Sequence, residues 1–343
     1  MNQFNIPVVL IVFRRVDTVL RILERLAEVK PKKLYIISDG PRNETEKEEV
    51  LHCRKTIEEN ITWECEIVKY YAETNQGVYD RIGLGAKWVF SKEEEAIFLE
   101  DDNLPEVTFF DFCKEMLERY RTDKRVLWVC GTNYLENYQP EDKSSYVFTK
   151  HLLPCGWASW SDKFLDMYDG EMDLLYDEYL YKRLYDQYES KSLYRQQLYA
   201  FKRTHYLLRN QLNLASWDSQ IAYSLRINGV YGISPSSNLI KNIGVDNFST
   251  HGGNSFKSTM TTRFCGMDSI PIKFPLKHPK VVMADKEYEK KVGNIILYPL
   301  YVRVGSKFFR LLKPLFKVGK YESFTKTLKN RIKNLKSKIG LSN

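Results

Sequence analysis

The sequence predicts an α/β protein built on a doubly wound, mostly parallel sheet. Through residue 132, short apolar runs rich in β-branched residues alternate with segments whose apolar residues recur at helical spacing. The apolar runs are continuous, which indicates strands buried on both faces, as in parallel sheets. Alternation of strand and helix at this spacing is typical of βαβ units.

Five strands and four helices are predicted in this part of the chain. The strands are Ile6–Phe13, Lys33–Ser38, Cys65–Tyr71, Ala96–Leu99 and Val126–Cys130. The helices between them cover 17–29, 45–58, 78–90 and 107–120. We expect Asp17 to cap the first helix, and Thr45 and Glu48 to form a capping box for the second.

The pattern changes after Thr132. A strand is predicted at 145–150, a turn and short helix over 156–168, a long tyrosine-rich helical stretch over 177–214, a helix over 217–229 and a strand at 230–235. Residues 234–273 are rich in loops. We therefore divide the chain into an α/β half (1–132), a helical, loop-rich half (133–294) and a C-terminal tail (295–343).

The positive charge of the chain is concentrated in the tail. The whole chain carries +8, whereas the tail holds twelve Lys or Arg and one acid, so it carries +11 and the remainder −3. Basic residues alternate there with apolar ones at helical spacing, for example around Leu328, Ile332, Leu335 and Ile339. This pattern favours a helix on an anionic membrane surface over nucleic-acid binding.

Cysteine usage and hydropathy indicate a cytoplasmic protein. The six cysteines form no Cys-x-x-Cys pair, and several lie in apolar runs, which predicts reduced, buried thiols. The apolar run near the start lacks the features of a signal peptide. No segment approaches the roughly 20 apolar residues that a spanning helix needs.

A cluster of acids follows the fourth predicted strand. Ala96–Leu99 leads directly into Glu100, Asp101 and Asp102. Ligands of open α/β sheets bind beyond the carboxyl ends of the strands, and carboxylates suit Mg²⁺ or Mn²⁺, which complete their shells with phosphate and water. We interpret the cluster as a metal–diphosphate site; the alternative is a solvated acidic turn.

The stretch "FLEDDNLPEVTFFDF" and the strand order resemble the GT-A glycosyltransferases, with likeness to bacterial family-2-like and HlpA-like members and to N-acetylglucosaminyltransferase I. The likeness covers most of residues 5–132 and a few motifs up to Asp218. It implies a nucleotide-diphosphate sugar donor, a UDP-sugar first among them, and Mn²⁺ or Mg²⁺. The α/β half would bind the donor and the second half the acceptor. The chain differs from N-acetylglucosaminyltransferase I in its C-terminal third, and we expect no N-terminal membrane anchor. The donor and acceptor of that enzyme are therefore not assigned to this chain.

The resemblance also implies roles for residues at the strand ends. Asp102 would ligate the metal, Asp101 would contact ribose or sugar hydroxyls, and Glu100 the sugar or a neighbouring base. Arg15 would lie near the nucleotide and Asp39 would contact the nucleobase edge. The alternatives are a solvated charge at a helix start for Arg15 and a plain Asp-Gly turn for Asp39.

Sugar transfer needs a base for the acceptor hydroxyl, and a carboxylate within reach serves. Asp218 follows Trp217 at a predicted helix start, as in the base segment of the glycosyltransferase that the chain resembles; the alternative is an ordinary helix cap. Asp246 is a second candidate base. His251 would be a metal ligand by the same resemblance, or else a surface residue.

Basic and aromatic residues complete the predicted site. Arg81 or Lys87 would reach the diphosphate, unless both face solvent. Trp157 or Trp160 would line the sugar pocket, since sugar C–H faces pack on aromatic rings, with at least one of the two in the core. The tyrosines between 176 and 206 indicate an acceptor surface, a homodimer surface or simple packing.

The sequence therefore predicts a metal-dependent, inverting glycosyltransferase of bacterial surface polysaccharide or glycoconjugate synthesis, peripheral at the inner membrane. Its partners would be a nucleotide-diphosphate sugar, a glycan or lipid-linked glycan and an anionic membrane, without nucleic acid. One alternative is a sugar nucleotidyltransferase, whose phosphate loop is usually Gly-rich, whereas "VFRRVDTV" has no glycine. Another is an inactive glycan-binding or membrane scaffold.

Overall fold

The computed structural model describes residues 3–212, 216–245 and 259–322, together with positions 324, 327, 328 and 331. The chain forms two units, Met1–Ile296 and Leu297–Asn343, which we call the body and the tail unit. Within these described ranges, no helix has the length and apolar character needed to cross a bilayer.

The five predicted apolar runs all form strands of one mixed sheet in the body. The strands of the body are β1 Val8–Val12, β2 Lys33–Ser38, β3 Glu66–Tyr71, β4 Glu95–Glu100, β5 Asn103–Pro105, β6 Val126–Cys130, β7 Tyr146–Thr149, β8 Trp157–Trp160, β9 Tyr231–Pro235 and β10 Ile240–Asn242. Eight of them form the sheet, in the order β3-β2-β1-β4-β8-β6-β9-β7, and β5 and β10 form a separate two-stranded ribbon.

The first four strands in space are parallel, and β1 lies between β2 and β4. Strand β8 runs antiparallel to both of its neighbours, β4 and β6. Beyond it, β9 is parallel to β6 and β7 is antiparallel to β9. Because the chain proceeds from β1 to β2 on one side and reaches β4 on the other, the loops diverge at β1 and leave a crevice at the carboxyl edge.

Helices cover both faces of the sheet, which confirms the doubly wound α/β prediction. The helices are α1 Val16–Val29, α2 Glu44–Asn60, α3 Gly85–Phe90, α4 Thr108–Arg119, α5 Ser161–Met167, α6 Glu178–Asp186, α7 Lys191–Arg209, α8 Asp218–Asn228, α9 Thr259–Phe264, α10 Lys286–Ile296 and α11 Leu300–Leu312, with a π-helical turn at Tyr79–Leu84 and a 3₁₀ turn at Asp173–Tyr176. One core contains apolar residues of α1, α2 and α4, and the other contains those of α3, α5, α8 and α10.

The predicted helix caps were wrong in the first two helices. Helix α1 begins at Val16, so Asp17 lies within its first turn. Helix α2 is capped by Asn43, whose side chain accepts a hydrogen bond from the Glu46 amide at 3.0 Å. An Asn side chain satisfies a free amide of the first turn as well as Ser or Thr does, so it displaces the predicted capping box.

The second half differs more from its prediction. The segment predicted as a turn before a short helix contains β8, whose strand pairing fixes alternate side chains on opposite faces of the sheet. The long tyrosine-rich stretch divides into α6 and α7, because Ser190 caps α7 through the Leu193 amide at 3.3 Å. Part of the predicted loop-rich region forms β10 and α9.

Candidate active site

The carboxyl edge of the sheet brings three predicted site residues together. Arg15 follows β1, and Asp101 and Asp102 follow β4, its parallel neighbour. Arg15 Nη1 lies 2.9 Å from Asp101 Oδ1 and 3.2 Å from Asp102 Oδ2. The Arg15 side chain is 11% exposed, so it is not the solvated helix-start charge considered as the alternative. The Phe13 amide also donates to Asp101 Oδ2, at 3.2 Å, which fixes that carboxylate from a second side.

Asp102 is held by the short β5–β10 ribbon. Asn103 donates a side-chain hydrogen bond to Asp102 Oδ1 at 2.6 Å, and the Ile243 amide donates to the Asp102 carbonyl at 2.9 Å. A Cβ atom on Gly244 would lie 2.4 Å from Asp102 Oδ2. Position 244 therefore accommodates only glycine while Asp102 keeps this orientation.

The acids carry more negative charge than their surroundings compensate. Burial raises the pKa of Glu100 well above its usual range, and repulsion from Asp102, Asp101 and Asp218 adds to this effect. Burial likewise raises the pKa of Asp101 to about 6, although the adjacent Arg15 guanidinium opposes the shift. The pKa of Asp102 is raised for the same reason. A bound cation would relieve this repulsion.

The donor set fits a metal that arrives with a diphosphate better than a preformed protein cage. No group of three or more His, Cys, Asp or Glu side chains among the described residues converges on one point. Asp101 accepts from Arg15 and the Phe13 amide, and Asp102 accepts from Arg15 and Asn103. The Asp102 side chain is the more exposed of the two, 21% against 12%, so Asp102 and Glu100 are the oxygen donors that we assign to a cation. Mg²⁺ and Mn²⁺ commonly take one or two carboxylates and fill their remaining positions from phosphate. Asp246 and His251 lie outside the described residues.

Asp39 lies at the end of β2, as predicted, but its predicted contact with a nucleobase edge is not supported. Its two carboxylate oxygens accept four hydrogen bonds of 2.8–3.1 Å, from the amides of Gly40, Gln76 and Gly77 and from the Asn75 side chain. These bonds occupy its lone pairs and hold loop 75–77 against the end of β2.

Arg81 also differs from its prediction. Its side chain is buried, stacks on the Tyr70 ring at 4.2 Å, and donates to the Tyr70 carbonyl and to Gln76 Oε1, the latter at 3.0 Å. The guanidinium is therefore directed into the protein and supports loop 75–77 instead of reaching a diphosphate. Lys87 lies over the Tyr168 ring at 5.2 Å.

Trp157 is a core residue, so its predicted place in the sugar pocket is not supported. The residue is 1% exposed, and its ring stacks between Phe98 at 3.8 Å and Trp128 at 4.1 Å. Trp160 is equally buried and donates its indole N–H to the Leu117 carbonyl at 2.9 Å. With both ring faces covered, Trp157 has no surface on which a sugar packs.

Asp218 is the first residue of α8 and remains exposed. One of its oxygens accepts from the Ser219 amide at 2.7 Å and from the Ser216 hydroxyl. The preceding Trp217 is buried against Trp157 and Trp128, with ring separations of 5.9 and 6.2 Å, and anchors the segment. The negative charge of Asp218 adds to the raised pKa of Glu100, so Asp218 lies within electrostatic range of the acidic cluster. Its role as a base stays a prediction.

Several residues around the cluster were not predicted from the sequence. Asn242 donates to Cys155 Sγ at 3.8 Å, and burial together with the charges of Asp102 and Glu100 raises the pKa of the Cys155 thiol well above its usual range. Asn103 Oδ1 accepts from the Gly156 amide at 2.8 Å. The sequence signal for this side of the site was the segment "NIG", residues 242–244, in which Asn242 ends β10. It lies within the region 234–273 that the sequence predicts to be rich in loops.

Comparisons with known proteins do not identify a family. No family model and no curated protein matches the chain. Solved structures that resemble it include UDP-glucose pyrophosphorylase complexed with UDP-glucose (10% identity, 70% of this chain and 94% of that chain, TM-score 0.35). A mannose-1-phosphate geranyltransferase from Thermus thermophilus matches at 12% identity, over 71% of this chain and 77% of that chain, with a TM-score of 0.34. A 4-diphosphocytidyl-2C-methyl-D-erythritol synthase from Anaerococcus prevotii matches at 11% identity, over 54% and 79%, with a TM-score of 0.30.

These likenesses are too weak to carry a conclusion about function. No name among them supports the resemblance to N-acetylglucosaminyltransferase I.

The acidic cluster gives a pH-dependent prediction. The folded-state pKa of Asp101, about 6, exceeds its ordinary 3.8, so its favourable contribution to stability is complete below about pH 4 and is lost as the pH rises through about 6. A divalent cation held by Asp102 and Glu100 would offset the negative charge that Asp101 gains when it loses this proton. We therefore expect Mn²⁺ to raise the melting temperature more at about pH 7.5 than at about pH 5. Equal Mn²⁺ shifts at both pH values would contradict this.

A glycine substitution tests the geometry of Asp102. We expect Gly244→Ala to weaken Mn²⁺-dependent nucleotide binding at least about tenfold, because the new Cβ displaces Asp102 or the ribbon. Gly232→Ala is the matched control, since the nearest atoms to its Cβ lie at 3.7 Å, an ordinary contact distance. Isothermal titration with and without Mn²⁺ measures both variants. Unchanged affinity in Gly244→Ala would show that Asp102 does not hold the metal.

Proposed function

We propose that the protein is a metal-dependent glycosyltransferase that moves a sugar from a nucleotide-diphosphate donor to a glycan acceptor with inversion. The observation that carries this proposal is the cluster of Arg15, Asp101 and Asp102 at the crevice between β1 and β4, where the charges of Glu100 and Asp218 add to the negative potential. A basic group and uncompensated carboxylates in one crevice suit a diphosphate that brings a cation.

The chemistry assigns separate tasks to these residues. Asp102, with Glu100 beside it, would hold Mn²⁺ or Mg²⁺, which supplies Lewis-acid stabilisation of the leaving diphosphate. Arg15 adds positive charge at the same edge, and Asp101 fixes the position of the Arg15 guanidinium through the 2.9 Å contact. Asp218 accepts the proton of the acceptor hydroxyl. As this proton leaves, the hydroxyl oxygen bonds to the anomeric carbon, and the bond from that carbon to the diphosphate breaks.

A polar cavity beside the loop that Asp39 holds suits an acceptor site. It has a volume of about 230 Å³ and lies against Gln76 and Gly77 of that loop. Asp80 and Glu171 contribute acids to its lining, and Leu208 near the end of α7 also lines it. Hydroxyl-rich ligands need hydrogen-bond acceptors of this kind, so the cavity suits a sugar of the acceptor glycan.

A sugar nucleotidyltransferase is the second candidate, because the same crevice would bind a nucleoside triphosphate and two of the similar structures have names of this kind. The loop after β1 argues against it, since Phe13, Arg14 and Arg15 offer no glycine where a phosphate would need close approach to the backbone. An inactive glycan-binding scaffold is the third candidate, and an intact acidic cluster argues against it.

One experiment separates the three candidates. Purified protein is incubated with a panel of nucleotide-diphosphate sugars and Mn²⁺, with and without pyrophosphate, and the products are identified by mass spectrometry. Slow release of nucleoside diphosphate and free sugar without pyrophosphate supports the glycosyltransferase. Formation of nucleoside triphosphate and sugar 1-phosphate, only with pyrophosphate, supports the nucleotidyltransferase. Binding without turnover of any donor would indicate the scaffold.

A further inference from the structure

Helix α11 of the tail unit exposes an apolar face. None of its residues is buried. Five large apolar side chains at steps of three and four residues are each at least 58% exposed: Leu300, Val304, Phe308, Leu311 and Leu315, the last just beyond the helix end. Steps of this kind place side chains on one side of a helix, so they form a single stripe, which we call the apolar stripe.

Basic residues flank the apolar stripe along one edge of the same helix. Arg303, Lys307 and Arg310 each precede a residue of the stripe by one position, which places them about 100° around the helix from it, and Lys317 continues the series after the helix. From residue 297 onwards Glu322 is the single acid of the sequence. The tail unit therefore combines a continuous apolar surface with a strongly positive charge.

The described part of the tail unit does not cover this stripe. The chain after α11 turns back, and Lys313 Nζ donates to the carbonyls of Lys320 and Glu322 at 2.8 and 2.6 Å. The Phe324 ring packs against Phe309 and Phe316, both at 5.4 Å, and not against the residues of the stripe. Contiguous exposed apolar side chains of this kind mark a surface that binds an apolar partner.

We propose that α11 lies in the interface of a membrane that contains anionic lipids, with the apolar stripe toward the acyl chains and the basic residues among the headgroups. Charge complementarity decides in favour of this occupant, since a net charge of +11 between Ile295 and Asn343 is attracted to an anionic surface. Helix length excludes a spanning orientation, because 13 residues extend about 20 Å and a bilayer core is about 30 Å thick. This proposal does not depend on the reaction proposed above.

Vesicle flotation of the full-length protein tests the proposal. We expect the protein to float with vesicles of phosphatidylcholine and phosphatidylglycerol, and to stay at the bottom with vesicles of phosphatidylcholine alone. Raising the salt concentration to about 1 M should release it, because the Debye length then falls to about 3 Å. Flotation with neutral vesicles to the same extent, or flotation that ignores salt, would overturn the proposal.

Two sets of substitutions assign the binding to α11. Val304→Gln, Phe308→Gln and Leu311→Gln together remove the centre of the apolar stripe, and Lys307→Gln, Arg310→Gln and Lys317→Gln together remove three charges. We expect each set to lower the vesicle partition coefficient at least about tenfold. All six side chains are exposed, so the body should melt at the wild-type temperature.

A matched control uses apolar residues of the body. Val281 and Met283 are 61% and 65% exposed, which is similar to the exposed fractions of the stripe residues. Changing both to Gln therefore removes a similar kind of apolar surface from the body. We expect this control to float as the wild type does. Equal loss in the control would overturn the assignment to α11. A second outcome would also overturn the proposal. If the wild type binds no vesicles but forms a dimer, and the Val304, Phe308 and Leu311 substitutions convert that dimer to a monomer, a second copy of the chain covers the stripe.

Discussion

Asp102→Ala is expected to abolish metal-dependent nucleotide binding and to lower the rate of sugar transfer on the order of a thousandfold. Asp102 follows β4 at the crevice, its side chain is more exposed than that of Asp101, and with Glu100 it is one of the two acids that we assign to a cation. Titration of nucleotide with and without Mn²⁺, together with donor turnover, measures both effects.

The stability of the same variant shows whether the loss is local. Asp102 repels Glu100, whereas Arg15 keeps its 2.9 Å contact with Asp101, so removal of the Asp102 charge should leave the melting temperature unchanged or slightly higher at neutral pH. Asp166→Ala, an exposed acid on α5, is the control and should behave as the wild type. Near-normal turnover in Asp102→Ala that still requires Mn²⁺ would contradict the metal assignment.

Asp218→Asn should reduce kcat by about 10²–10⁴-fold while donor affinity stays the same, because a general base acts on the acceptor and not on donor binding. Asn still accepts a hydrogen bond from the Ser219 amide, so the start of α8 should be preserved. In the wild type, kcat should fall at low pH because protonation inactivates the general base. The Asp218→Asn variant lacks that base, so its plot of kcat against pH should not show this fall. Ser216→Ala, which removes only the neighbouring hydroxyl, is the control.

A smaller effect would assign the base elsewhere. If Asp218→Asn lowers kcat less than about tenfold, Asp218 serves as a helix-start residue and Asp246 becomes the candidate to substitute next. If donor affinity falls in parallel with kcat, the segment around Trp217 contributes to the donor site instead of activating the acceptor.

The centre of the site was predictable because its signals are local. A continuous apolar strand leading into Glu100, Asp101 and Asp102 reports both the burial of β4 and the position of the acids. Parallel pairing of β1 with β4 then places Arg15 beside them. Neither step requires knowledge of distant side chains, since the strand ends of a parallel sheet meet at one edge.

The roles of Asp39 and Arg81 could not be predicted because their partners are distant or belong to the backbone. The donors to Asp39 come largely from loop 75–77, more than 30 residues along the chain. Arg81 is directed inward by the Tyr70 carbonyl, a group that every residue type provides. Residue identity at a strand end therefore shows the presence of a charge, and tertiary contacts decide whether that charge remains available to a ligand.

The strand β8 was missed for a related reason. Four residues with two tryptophans have no periodicity that separates a strand from a turn. Their conformation is set by pairing with β4 and β6, and by the rings of Phe98 and Trp128 on both sides of Trp157. The strands β5 and β10 have only three residues each, too few to show a periodicity. The single sequence signal near them was Gly244 of the segment "NIG", residues 242–244.

The position of β6 in the sheet has a consequence for synthesis of the protein. Both of its neighbours, β8 and β9, come later in the chain, and β9 ends only at Pro235. A nascent chain that has reached residue 132 therefore contains a fully apolar strand with both edges unpaired. Unpaired apolar edges promote association between chains, and pairing that waits for distant sequence is slow. Both edges of β6 are therefore paired only after more than 100 further residues have been synthesised.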